Sequence, residues 1–132
     1  MRNQDLNNIY HALSAHDVVA LTGKGGIEKS QLAIQYAWQQ QAKNNYPGGI
    51  LWLNGLSQNL GIQIINFAAQ YLNINVLQEN ALIERVSYCW NHWPEGKVLI
   101  IIDDVRDYED IQPYLATLDN RFQVLITTRF NY

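Results

Sequence analysis

The sequence predicts an α/β fold, a three-layer sandwich in which a mostly parallel sheet of about four strands lies between layers of helices. Three observations predict it. Four short apolar runs, Val18–Leu21, Ile50–Leu53, Val98–Ile102 and Val124–Ile126, are rich in β-branched residues and read as strands buried on both faces. Between them, apolar residues recur every three or four positions, the spacing of a helix with one buried side. Strands and helices also alternate along the chain, which implies parallel strands joined by right-handed crossovers.

The elements follow in order. A leading helix, Gln4 to Ser14, carries Leu6, Ile9, Tyr10 and Leu13 on one face. After the first strand, Leu32, Ala33, Tyr36 and Ala37 share a helical face. Ile62, Ile65, Ala69 and Leu72 do so after the second strand, and Leu82, Val86, Cys89 and Trp93 form a further stripe. Pro94-Glu95-Gly96 stops that helix just before the third strand. Asp107 to Leu118 is a shorter helical candidate with Ile111, Leu115 and Leu118 on one side, which Pro113 interrupts unless it sits in the first turn. Trp38, Trp52, Trp90 and Trp93 fall on helix and strand positions and are expected in the core. A platform for an aromatic base is the minority reading of them.

Bulk properties narrow the function classes. With 132 residues the chain is enough for one domain, residues 1–132, and not for two. Only 16% of residues are charged and the net charge is −3. No Lys/Arg cluster marks a nucleic-acid surface, so a small molecule or a neutral protein surface suits the chain better. The single cysteine, Cys89, cannot form an internal disulfide, points to a reducing compartment, and reads as a core residue. The first residues lack the apolar stretch of a signal peptide, and the longest apolar run, Val98–Ile102, is too short to span a bilayer. A cytoplasmic protein that does not enter a membrane is expected. His11, His16 and His92 are scattered, without metal-ligand spacing.

The segment after the first strand carries the strongest chemical signal. Gly23-Lys24-Gly25-Gly26-Ile27-Glu28-Lys29-Ser30 matches the P-loop pattern G-x-x-x-x-G-K-[ST] at Gly23, Lys29 and Ser30. It has Glu28 where the pattern has its second glycine. Glycines let backbone N–H groups surround a phosphate, and the helix N-terminus favours an anion. Lys29 would reach the terminal phosphates, and Ser30 would give a hydroxyl ligand to Mg²⁺. The plainer alternative is a glycine-rich turn that merely joins strand to helix. Glu28 works against binding: a carboxylate about 5 Å from a phosphate charge costs about 3 kcal/mol per pair at an effective dielectric near 20, roughly a hundredfold in affinity. Turning to solvent, or pairing with Lys24 or Lys29, would soften that penalty.

Two further segments end strands of the same sheet. Val98 to Ile102 runs into Asp103-Asp104, an acidic strand end of the Walker B kind, in which the first acid holds Mg²⁺ and the next polarises the attacking water. Ligands of such sheets bind beyond the carboxyl ends of the strands. Alone, the pair would suit a turn equally well. The last strand closes with Thr127-Thr128-Arg129, where the cation could sense a terminal phosphate or simply be solvated.

Together these segments resemble the NB-ARC branch of the STAND class of P-loop NTPases. The family pattern G-x-G-G-I-G-K-[ST]-x-L-A is followed by Gly23 to Ala33, including Gln31 at its free position, except at Glu28. Gly48 to Leu53 looks like the family's second strand, Val98 to Val105 like its Walker B segment, and Leu125 to Arg129 like its sensor segment. The bacterial, tetratricopeptide-repeat-coupled members are the most similar type. The resemblance implies a P-loop NTPase core acting as an ATP- or ADP-binding signalling switch with Mg²⁺ and slow hydrolysis, weak or inactive here because of Glu28 and truncation. It assigns Gly23, Gly25 and Gly26 to phosphate N–H contacts, with Gln31 beside them. Lys29 goes to the terminal phosphates, Ser30 and Asp103 to Mg²⁺, Asp104 to the water and Arg129 to sensing. Family members open with a Gly-Arg segment, of which Arg2 could be the remnant, and continue past the sensor into a further strand, a helical domain and a winged-helix domain. This sequence therefore reads as a truncated core. The strand order of the class places the last strand between the third and the first, leaving Val18–Leu21 at an exposed edge. The rival reading is a non-catalytic interaction module that keeps the fold and binds protein partners, or itself, through that edge. A small-molecule kinase would need an acceptor site and lid that the sequence does not offer.

Overall fold

A computed structural model describes residues 2–22, 26–56, 59–76 and 80–128, with backbone only at residues 2, 26 and 27. Nine elements follow one another: α1 (Arg2–Ala15), β1 (Val18–Leu21), α2 (Gly26–Ala42), β2 (Gly49–Asn54), α3 (Leu60–Leu72), α4 (Leu82–Asn91), β3 (Val98–Val105), α5 (Tyr108–Leu115) and β4 (Phe122–Thr128). This is the alternation the periodicity predicts. The four strands form one sheet in the order β1-β4-β3-β2, and every pairing is parallel. The last strand thus lies between the third and the first, and β1 lies at an edge, as expected.

Helices cover both faces. Leu6, Ile9 and Leu13 of α1 and Ala33 and Tyr36 of α2 pack with Leu99, Ile101 and Leu125. On the other face α3, α4 and α5 pack against Leu51, Leu53, Ile100, Ile102, Val124 and Ile126. Residues of β3 and β4 therefore alternate between two cores, as period-two strands must, and β4 is buried throughout.

Burial on both faces was expected of all four strands, but it fails at the edges. In β1 Val18 and Ala20 are exposed, and in β2 Trp52 is. A strand at the sheet margin lies under the rim of the helix layer, so its outer residues meet solvent. Trp52 at 39% and Trp38 at 69% exposure correct the expectation that all four tryptophans are core residues. Trp90 and Trp93 are buried in an aromatic cluster with Phe122 and Phe67, at centroid distances of 5.1 to 5.8 Å.

Three helices differ in detail from the expectation. In α1 Tyr10 lies outside the buried stripe. In α3 the buried residues are Leu60, Gly61, Ile64, Ile65 and Ala68, while Ile62 and Ala69 are exposed. The shift has a steric cause: a Cβ on Gly61 would come within 2.8 Å of Tyr114 and 3.0 Å of Leu82, so this glycine lets α3 lean closely on its neighbours. Asn59 caps the helix start through Ile62 N (3.3 Å), and Asn73 ends it in the left-handed conformation. In α5 Asp107 is the N-cap, but Pro113 lies beyond the first turn and the helix stops at Leu115 rather than Leu118. Proline brings no N–H to the helical ladder.

Cys89 is fully buried. Burial pushes its thiol up to about 11, against a smaller opposing pull from Arg85. The thiol is therefore expected to react slowly with alkylating reagents at pH 8 in the folded protein and rapidly after addition of urea, which a mass-spectrometric time course reads directly. The unfolded chain loses this proton near 9.0 and the folded chain near 11. Stability is therefore unaffected by the thiol below pH 8 and falls as the pH rises across that window.

Candidate functional site

The carboxyl ends of β1, β3 and β4 and the first turns of α2 converge, which is where open α/β sheets bind ligands. The apolar run of β3 ends at Ile102, and the register with β4 shifts between Ile102 and Val105. Asp103 and Asp104 occupy this bulge, half-buried. Asp104 has a φ of 68°, a left-handed conformation that costs a non-glycine residue about 1–2 kcal/mol. Beside the bulge, Gly55 donates its N–H to the Asp103 carbonyl at 2.6 Å. A Cβ there would come within 2.8 Å of Val105, so a larger residue would push β2 away from the site.

Two functional side chains come from α2. Ser30 donates its hydroxyl to Asp103 Oδ1 at 2.7 Å. Lys29 is only 7% exposed, and its ammonium donates to the main-chain carbonyl of Thr128. From β4, Thr127 Oγ1 donates to the same Asp103 oxygen at 2.6 Å and accepts from Asp104 N at 2.8 Å. Thr128 Oγ1 reaches Leu21 O at 3.5 Å, joining the end of β1 to the group.

Of the residues the sequence nominates, Lys29, Ser30, Asp103 and Asp104 are thus brought together. Gln31 is exposed. Gly26 opens α2. Gly23, Gly25 and Arg129 lie outside the described residues, as does Lys24. Glu28 lies in the first turn of α2 and is exposed; among the described residues its carboxylate has no ion-pair partner. Its backbone is helical, so the position does not demand glycine in this state, and the carboxylate has turned to solvent. Thr127 and the Thr128 carbonyl are the parts that sequence reasoning missed. The available signal was the two hydroxyls closing an otherwise apolar strand, level with the acids of β3.

The donor set fits a small hard cation. A hydroxyl and a carboxylate oxygen stand 2.7 Å apart, and Mg²⁺ takes oxygen ligands of this kind, one or two from protein and the rest from water and phosphate. Among the described residues there is no cluster of three or more His, Cys, Asp or Glu that would hold a metal unaided.

A parallel sheet with this strand order, a lysine and serine at the start of the helix after β1, and an acid at the end of β3 define a P-loop NTPase core. The family model for the NB-ARC domain matches residues 2–132, and the chain belongs to that family. It is accordingly a nucleotide-binding signalling module. A search of curated proteins gave no match. No helix among the described residues is long and apolar enough to cross a membrane.

Proposed function

We propose that this chain binds ADP or ATP with Mg²⁺ at the strand ends and works as the nucleotide-dependent core of a signalling switch, with a phosphate loop weakened at Glu28. Lys29 meets the terminal phosphates, and Ser30 and Asp103 hold Mg²⁺. Bound Mg²⁺ would neutralise phosphate charge. Asp104 orients the attacking water and Arg129 senses the terminal phosphate, while Gly23, Gly25 and Gly26 supply N–H groups, with Gln31 following them. The observation that carries this reading is the Ser30–Asp103 bond beside the buried Lys29: a hydroxyl, an acid and a cation from distant parts of the chain meet at one strand end.

The exposure of Glu28 reduces its penalty, because a charge pair 5 Å apart in water costs only about 1 kcal/mol. Glu28→Gly is therefore expected to tighten ADP by about fivefold, and by up to about a hundredfold if the loop closes over the carboxylate. Calorimetric titration of both chains with ADP and ATP reads the difference. Absence of heat from either chain, both folded, would remove the nucleotide reading.

A second reading has support of its own. The outer edge of β1 pairs with no described strand, and Val18 and Ala20 beside it are exposed. Such an edge can take a strand from another chain, so the module could act by self-association or by contact with a protein partner. Sedimentation velocity over a hundredfold concentration range decides the self-association form of it: an unchanging monomer counts against it.

A further inference from the structure

Thr127 links the two acids of β3 to each other, and nothing in its residue type announces that. It is buried, and its hydroxyl makes two bonds of opposite sense, donating to Asp103 Oδ1 at 2.6 Å and accepting from Asp104 N at 2.8 Å. A hydroxyl has one hydrogen and two lone pairs, so both bonds form together. An amide can only donate, which fixes the hydroxyl proton on the Asp103 side. Asp104 lies where the register between β3 and β4 shifts, and its N–H bonds to this side chain. The bond thereby holds Asp104 in its left-handed conformation. Asp103 Oδ1 also receives the Ser30 hydroxyl. Two donors on one oxygen set the carboxylate's orientation, and Oδ2 takes no hydrogen bond from a described residue.

We infer, resting on the nucleotide reading above, that Thr127 is the positioning residue of the metal half of the site. Its hydroxyl orients Asp103 for Mg²⁺ and locks the backbone that presents Asp104. The role differs from sensing a phosphate, because the hydroxyl is engaged with the two acids. Outer partners of metal ligands of this kind are worth about 10- to 100-fold in metal affinity.

The test compares Thr127→Val, which keeps shape and removes the hydroxyl, with Thr127→Ser, which restores it. Thr127→Ala serves the same comparison if the valine chain does not fold. Each is made in the original and in the Glu28→Gly chain, so that a weak parent site does not mask the effect. ADP affinity is measured by calorimetry in Mg²⁺ and in EDTA, and Mn²⁺ uptake in the presence of ADP by electron paramagnetic resonance. The ratio of the two ADP affinities is expected to fall about tenfold in Thr127→Val, with Mn²⁺ uptake falling in step, and to return to within about twofold of the parent in Thr127→Ser. The Asp104 amide should exchange faster in the valine chain than in the serine chain. A valine chain with the full Mg²⁺ ratio overturns the inference, as does a serine chain impaired as much as valine, which would assign the effect to the methyl group. If no chain in either background takes ADP, the nucleotide reading fails and this inference falls with it.

Discussion

Lys29→Met is expected to weaken ADP binding by two to three decades while leaving the fold intact. Lys29 is almost wholly buried at the strand ends, with its ammonium on the Thr128 carbonyl. A unit charge 4 Å from a phosphate oxygen is worth about 4 kcal/mol at an effective dielectric near 20, which corresponds to roughly a thousandfold in affinity. Part of this is offset because the ammonium must give up or share its carbonyl partner. Methionine fills nearly the same volume without charge, and an apolar replacement of a buried cation is structurally mild. Losing the bond to Thr128 should shift stability by only about 1 kcal/mol. Calorimetry and a thermal melt on the same sample separate the two effects. A methionine chain that takes ADP as well as the parent would show that the ligand's phosphates lie elsewhere.

The largest effect on stability is expected at Trp90. It is buried against Trp93 and Phe122, and its indole N–H donates to the Tyr114 carbonyl at 2.8 Å, so one side chain ties α4 to both β4 and α5. Trp90→Ala should cost about 3–5 kcal/mol through lost burial and the cavity left behind, a large share of the roughly 5–15 kcal/mol that holds a domain together. Trp90→Phe should cost less, part of it from the orphaned carbonyl at about 1–3 kcal/mol. Urea denaturation gives both values. A loss under 1 kcal/mol for the alanine chain would mean that α4 repacks freely.

Much of this architecture is legible in the residues, and the parts that are not share a cause. β3 declares itself because an apolar run ends in two acids, and Lys29 and Ser30 because they follow glycines at a helix start. Val18 and Trp52 were misread as buried because an apolar run does not reveal whether its strand lies at the centre or at the margin of a sheet. The stripe on α3 was misread because Leu60 to Ile65 offers two apolar faces, and the choice between them rests with Gly61 and its approach to Tyr114 and Leu82. Thr127 went unnoticed because its partners are 23 and 24 residues away. The acceptor for Lys29 is a main-chain carbonyl, which every residue has.

The sheet is firm in the middle and soft at the rim, and the phosphate loop hangs from the rim. β3 and β4 are shielded on both sides, whereas β1 has four residues, one neighbour and an exposed outer face. Local opening should therefore be cheapest at β1 and dearest at the pair behind it. A ligand held at once by Lys29, just past β1, and by Asp103, on β3, would lash the loose margin to the rigid centre. Occupancy of the site would then register as a stiffening of one side of the domain, a difference in motion that a neighbouring surface could read without any change of shape.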